Sequence, residues 1–309
     1  MGLMCREAVA LSLRERTLAP RRSPLAEREA YGLRPRQSFM LRIRLMTAAD
    51  IPLGMRLKQQ NGWNQLEADW LRFLDLQPDV ILNAAAYTAV DRAETEGESC
   101  FRVNAEAVGE LGRIAAQAGA RVVHFSTDYV FNGKASQPYR EDSPTDPVNA
   151  YGASKLAGEH ALEQRGAEWL IVRTQWLFGV HGKSFPKTMW ERARAGLATK
   201  VVRDQTGRPT YSTDLAETVW SLIQREVHGV MHVANQGLAT WFELAAHVFL
   251  RAGRPDLLTP CLTADFPTAA RRPRYSVLDT TRLESQLGVG LPPWPAAVDR
   301  FLECLESRA

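Results

Sequence analysis

Arg121-Val122-Val123-His124-Phe125-Ser126-Thr127-Asp128 is the stretch on which the reading of the chain turns. Arg121–Ser126 is a short, nearly continuous apolar run, and it leads into a second hydroxyl and a carboxylate. A run of this length, apolar on both faces, predicts a strand buried inside a parallel sheet. The pattern repeats outward from it. Val80–Ala84, Trp169–Thr174 and Gly229–Ala234 read as three more such strands. Helical patterns separate them, from about Cys100 to Ala118 with Gly119 closing it, and over Tyr151–Glu163. Upstream, Leu41–Met46 reads as a strand, and Ala48–Gln59 and Gln65–Leu76 read as helices. Strands alternating with helices predict an α/β fold whose parallel sheet is covered on both faces.

In such sheets ligands sit beyond the carboxyl ends of the strands. There the sequence carries Asn83-Ala84-Ala85-Ala86-Tyr87-Thr88, Ser126-Thr127-Asp128-Tyr129 and Arg173-Thr174-Gln175-Trp176. The alanines permit close approach of a flat ligand, or merely pack a helix on the sheet. Tyr151-Gly152-Ala153-Ser154-Lys155 spaces a phenol and an amine four residues apart, on one helix face. A nearby ammonium favours the phenolate. A phenol titrates roughly three units above neutral, so the site must supply about 4 kcal/mol to poise Tyr151 as an acid/base at pH 7. Thr127 offers a hydroxyl to polarise a carbonyl oxygen. Tyr-Lys pairs are common on solvated helices. This one becomes specific through the strand ending in Ser-Thr and the loop holding Pro138, Pro144 and Pro147 that precede it.

With these residues in view, the chain from about 79 to 305 resembles the extended short-chain dehydrogenase/reductases, and within them the dTDP-4-dehydrorhamnose reductase family. The matching words are PDVILNAAAYTAVDRAE (78–94), VNAEAVGELGRIAAQAGARVVHFSTDYVFNG (103–133), YREDSPTDPVNAYGASKLAGEHA (139–161), VRTQWLFG (172–179), DQTGRPTYSTDLA (204–216) and DFPTAARRPRYSVLDTTRL (265–283). The resemblance implies a Rossmann-like parallel sheet with a small C-terminal substrate domain. It implies a catalytic triad of Thr127, Tyr151 and Lys155, and hydride transfer from NADPH (or NADH) to the C4 keto group of dTDP-4-dehydrorhamnose, giving dTDP-L-rhamnose. By resemblance, Ala85, Ala86, Tyr87, Asn104, Tyr151 and Lys155 line the cofactor, and Thr127, Asp128 and Trp176 meet the substrate. Gln175 stands where the family usually has Ser. Arg271-Arg272-Pro273 falls where the family's substrate loop runs, or is a solvated basic loop. A dTDP-sugar is the expected partner, and the family admits a homodimer.

The chain departs from that family before residue 79. Those reductases open on a strand and a G-x-x-G-x-x-G turn that receives the cofactor pyrophosphate at a helix N-terminus. Here that part holds only Gly2, Gly32, Gly54 and Gly62. In the nearest candidate, residues 46–54, Ala48 and Ile51 replace the first two glycines, and Asp50 adds an unfavourable negative charge. The space between Gly54 and Asn83 suits two short helices, so the N-terminal half of the fold is expected to be incomplete. Residues 41–79 instead resemble the opening of GNAT-type N-acetyltransferases, without that family's pyrophosphate loop. A fusion, favoured here, or a diverged and shortened reductase start accounts for this. The alternatives to a working reductase are a non-catalytic homologue that binds a sugar nucleotide or a protein partner, and a defective fusion product.

The sequence divides into a poorly ordered basic extension (1–40), an atypical strand-helix segment (41–78), the rest of the Rossmann-like domain with the triad (79–175), and a mixed region (176–309), mainly substrate-binding with a strand returning to the sheet. Charge agrees with the first boundary. Residues 1–44 hold ten Arg and four Glu, a net +6, and the rest of the chain is −3, so the body lacks a basic nucleic-acid face. No apolar run of about 18 residues is present to span a membrane. Cys5, Cys100, Cys261 and Cys304 are scattered, with neither disulfide nor metal spacing, so no metal and a cytoplasmic location are expected.

Overall fold

The structure, a computed structural model, describes residues 79–308. The extension expected over 1–40, the strand over 41–46 and the helices over 48–59 and 65–76 lie outside the described residues. β1 (Val80–Asn83) is followed by α1 (Val90–Ala93) and α2 (Gly97–Phe101). α2 runs through one π-type turn (Arg102–Glu106) into α3 (Ala107–Ala118). This is the helix expected from about Cys100, lengthened by three residues and interrupted by the π turn. Gly119 ends it at φ 68°, the left-handed cap that its place in the sequence predicts.

β2 (Arg121–Thr127), α4 (Ala150–Glu163) and β3 (Trp169–Thr174) follow. Then come β4 (Leu177–Phe178), α5 (Phe185–Arg194), β5 (Thr199–Val202), β6 (Thr206–Gly207), β7 (Thr210–Tyr211) and α6 (Ser212–Gln224). β8 (Gly229–His232) ends two residues earlier than expected. β9 (Ala239–Thr240), α7 (Trp241–Arg251), β10 (Leu258–Cys261), α8 (Thr281–Leu287) and α9 (Trp294–Glu306) complete the described chain.

The four apolar runs form one parallel sheet in the order β1-β2-β3-β8. Alternation along the strands divides the core. Val122 and Ile171 pack with Val108, Ala115 and Leu162 from α3 and α4 on one face. Val123, Leu170 and Val172 pack with Leu215, Val219 and Leu222 of α6 and Leu283 of α8 on the other. Each such fully buried aliphatic side chain stabilises the fold by about 1.5–3 kcal/mol. A further cluster joins Met189 and Trp190 of α5, Leu244, Val248 and Phe249 of α7, and Phe301 of α9 to Phe178.

Glycine controls how α4 enters the sheet's carboxyl edge. A Cβ on Gly152 would lie 2.1 Å from the Tyr129 carbonyl oxygen, and one on Gly158 would lie 2.0 Å from the Asn104 carbonyl oxygen. Asn149 caps the helix, its Oδ1 accepting the Gly152 N–H at 2.7 Å.

Candidate active site

β2 and β3 run in register from Val122 beside Trp169 to Thr127 beside Thr174, so both strands end on a threonine at the carboxyl edge. α4 lies across this edge and delivers Tyr151, Ser154 and Lys155 to it. Lys155 is 2% exposed. Its Nζ donates to the Phe125 carbonyl at 2.7 Å and lies 3.1 Å from His124 Nε2. Burial lowers the Lys155 ammonium to about 8, against the opposing pull of Glu159. Glu159 is itself held by Arg173 (2.7 Å) and by Ser126.

Thr127 and Asp128 form a second knot. Thr127 donates to Asp128 Oδ1 at 3.1 Å, and Ser276 donates to Asp128 Oδ2 at 2.5 Å. Asp128 is 2% exposed, and burial pushes its carboxyl up to about 7. Tyr151 hydrogen-bonds to Thr127 and stands edge-on to Tyr129, with ring centroids 5.9 Å apart. The Tyr151 phenol is raised to about 12, first by burial and then by the Asp128 carboxylate. This corrects the expectation that the lysine brings the phenol toward neutrality. The Lys155 ammonium donates to the Phe125 carbonyl and is not among the charges acting on Tyr151, so desolvation decides the direction, and Tyr151 is a protonated acid in this state.

The alanine stretch leaves β1 as an open loop, with Ala85 exposed and Ala86 and Tyr87 partly buried. Asn104, in the π turn, is fully buried. Its Oδ1 accepts the Tyr87 N–H at 2.8 Å, and its Nδ2 donates to the Tyr87 carbonyl and to Ser154 Oγ, each at 3.0 Å. Asn104 therefore braces the loop against α4 through internal bonds. A π turn is a recurrent way to aim one side chain at a functional site.

Trp176 adopts φ 47°, a strained left-handed conformation for an aromatic residue. One ring face stacks on Trp241 at 3.7 Å, and Gly207 lies against the indole where a Cβ would come within 2.6 Å. Gln175 is 2% exposed, and neither atom of its amide has a hydrogen-bond partner among the described residues. The Arg271–Pro273 stretch is anchored. Asn149 Nδ2 donates to the Arg271 carbonyl at 2.8 Å, and Arg272 pairs with Asp91 at 2.7 Å.

The structure thus brings Thr127, Asp128, Tyr151 and Lys155 together, with Asn104 one layer behind. The sequence reading missed His124 and Ser276, and it placed Asn83 at this edge without a role of its own. His124 left a signal, an imidazole inside an otherwise apolar strand. Ser276 left none, because 148 residues separate it from Asp128. Among the described residues no His, Cys, Asp and Glu cluster fits a metal ion, and no helix is long and apolar enough to cross a membrane.

The family model described as the RmlD substrate binding domain matches residues 52–307. The dTDP-4-dehydrorhamnose reductase of Burkholderia thailandensis is 43% identical over 241 residues, covering 72% of this chain and 81% of that protein. The Escherichia coli enzyme of the same name is 40% identical over 238 residues, covering 74% and 80%. The Bacillus anthracis dTDP-4-dehydrorhamnose reductase, solved in complex with NADP, superposes with a TM-score of 0.72 at 34% identity, over 84% of this chain and 86% of that one. The acetyltransferase resemblance is not borne out, since the RmlD match runs from residue 52 through most of that segment. On its sequence, its parallel sheet and its relatives, the chain belongs to the dTDP-4-dehydrorhamnose reductase family, NADP-dependent oxidoreductases of the extended short-chain dehydrogenase/reductase fold.

Proposed function

We propose that this chain reduces the C4 keto group of dTDP-4-dehydrorhamnose to give dTDP-L-rhamnose, with Thr127, Tyr151 and Lys155 as its catalytic residues. The observation that carries the reading is that α4 holds a protonated Tyr151 and, one turn on, a buried Lys155 at the carboxyl edge of β2. The residues fit the nicotinamide end of a dinucleotide. Ala85 and Ala86 present nothing larger than a methyl group beside β1, and Lys155 keeps an N–H free beside the one it gives to the Phe125 carbonyl. NADPH, when bound, supplies the hydride that reaches C4.

The chain's own residues handle the proton. Tyr151 gives its phenolic proton to the C4 oxygen as negative charge develops there, and Thr127 turns its hydroxyl proton from Asp128 to that oxygen. Lys155 stabilises the phenolate left behind and binds the cofactor ribose with its remaining N–H. Asp128 orients Thr127 through the 3.1 Å bond and borders the sugar. Trp176 borders the pyranose with the part of its indole that Trp241 and Gly207 leave exposed. In this reading residues 79–175 hold cofactor and triad, and residues 176–309 hold mainly the substrate.

Tryptophan quenching during an NADPH titration, followed by turnover of dTDP-4-dehydrorhamnose, tests the proposal. Saturable micromolar binding with turnover that Tyr151→Phe abolishes supports it. A chain that unfolds cooperatively yet fails to bind millimolar NADPH overturns it. That result favours a second reading, a non-catalytic sugar-nucleotide binder, which rests on Ala48 and Ile51 standing where cofactor-turn glycines belong.

A further inference from the structure

Asn83 and His124 are register partners on β1 and β2, and their side chains bond at the edge where Lys155 arrives. Asn83 Nδ2 lies 3.1 Å from His124 Nδ1, and His124 Nε2 lies 3.1 Å from Lys155 Nζ. Asn83 Oδ1 accepts the Ala85 N–H at 3.2 Å. One chain of hydrogen bonds therefore runs from the loop Ala84–Ala86 to the buried lysine. His124 is fully buried, so no solvent competes for either ring nitrogen.

Donor and acceptor accounting fixes the direction of this chain. With Oδ1 committed to Ala85, Asn83 presents an N–H to His124 Nδ1, which must accept. A neutral imidazole then carries its one proton on Nε2, facing the lysine. Burial and the neighbouring ammonium hold His124 neutral. An Nε2–H aimed at Nζ disfavours the ammonium and favours the amine. We propose that Asn83 and His124 are positioning residues that set the proton inventory of Lys155, with the imidazole locked as the Nε2–H tautomer by the amide of Asn83. Resting on the reductase reading, the consequence is a lysine that readily gives up its proton. After Tyr151 has protonated the sugar oxygen, an N–H bond of the Lys155 ammonium breaks and the phenolic O–H bond is restored. Solvent later returns the proton to the amine.

Other charged groups face this site. Tyr151 and Glu159 share α4 with Lys155, Cys100 approaches from α2, and Asp128 faces Tyr151 from the end of β2. Arg173 on β3 neutralises Glu159, and Glu94, following α1, accepts the Ala150 N–H at the helix start. The proposal requires that changing Asn83, which carries no charge, move the lysine without altering any of them.

Long-range 1H–15N correlation spectra of the 15N-histidine-labelled full chain report which nitrogen of each ring is protonated, and the resonance lost in His124→Gln identifies His124. The expected result is Nε2–H in the wild type and Nδ1–H in Asn83→Asp, whose carboxylate accepts but does not donate. Asn83→Ala, which removes the amide without adding charge, is expected to leave a mixture of both tautomers. In turnover assays the alkaline limb of the rate profile should move up in Asn83→Ala, where no charge is added, and further, by about one pH unit or more, in Asn83→Asp. Nδ1–H in the wild type overturns the proposal, as does a tautomer or an alkaline limb unmoved by both Asn83 variants. A wild-type chain inert toward NADPH and the dTDP-sugar overturns the reductase reading and the proton-return step, while the spectra still decide whether Asn83 locks His124.

Discussion

Arg272 grips Asp91 through two parallel bonds, Nη1 to Oδ1 at 2.8 Å and Nη2 to Oδ2 at 2.7 Å, across 181 residues of sequence. The pair ties the 268–273 segment to α1, and the next bond along, Asn149 to the Arg271 carbonyl, ties it to the start of α4. Arg272→Ala should therefore loosen the approach to Tyr151. We expect KM for the dTDP-sugar to rise several-fold, with a smaller change in kcat. The stability loss, measured by urea unfolding at pH 7, should be about 1 kcal/mol, because the Asp91 side chain is 45% exposed.

The same pair has an acid signature. The Arg272 hydrogen bonds hold the Asp91 carboxyl down to about 2. A depressed carboxylate contributes stability above its unfolded value of about 3.9 and loses it as the pH falls through the folded value. Wild type and Arg272→Ala should accordingly differ at pH 7 and converge in stability as the pH approaches 2. A constant difference down to pH 2 would contradict this.

Asp128 behaves in the opposite sense. Its folded carboxyl is raised to about 7, so the folded chain holds that proton more tightly than the unfolded chain does. Its contribution is fully present below about pH 3.9 and is lost as the pH rises through 7, at up to about 1.4 kcal/mol per pH unit. Asp128→Asn should remove this slope, so the variant gains stability relative to wild type between pH 4 and 7. Unfolding curves at three pH values in that window check it. Activity of the variant should fall, because Thr127 then loses its carboxylate partner.

Tyr151→Phe should lower kcat by about 10²–10⁴-fold, the usual range for a lost acid/base group, and leave NADPH binding nearly unchanged. Stability should stay close to wild type, since the ring and its edge contact with Tyr129 remain. Activity within threefold of wild type would remove Tyr151 from the mechanism.

Gly207→Ala tests the tryptophan platform. Its Cβ would meet the Trp176 ring at 2.6 Å, and the ring is already fixed between Gly207 and Trp241. Overpacking of this kind costs about 1–3 kcal/mol. The indole should shift, changing the intrinsic fluorescence and raising KM for the sugar nucleotide more than that for NADPH. Equal effects on both would place Trp176 outside the substrate site.

The sequence alone determined the sheet and the catalytic helix. Apolar runs of strand length over 80–84, 121–126 and 169–174, the glycine at 119 and the Tyr-Lys spacing are local patterns, and local patterns record local physics. β3 came out with its expected ends, and β2 gained only Thr127. The short strands and helices after residue 176 left no comparable signal, because two-residue strands such as β6 and β9 exist only by pairing with each other. Only the tertiary structure decided the charge states. Tyr151 is pushed up and Lys155 down by burial, which depends on what folds over them. The bonds that fix them, Asn83 to His124 and Ser276 to Asp128, join residues 41 and 148 positions apart. Spacing along a chain cannot encode such contacts. They arise when parallel strands bring their carboxyl ends to one edge, where polar groups excluded from water must find one another.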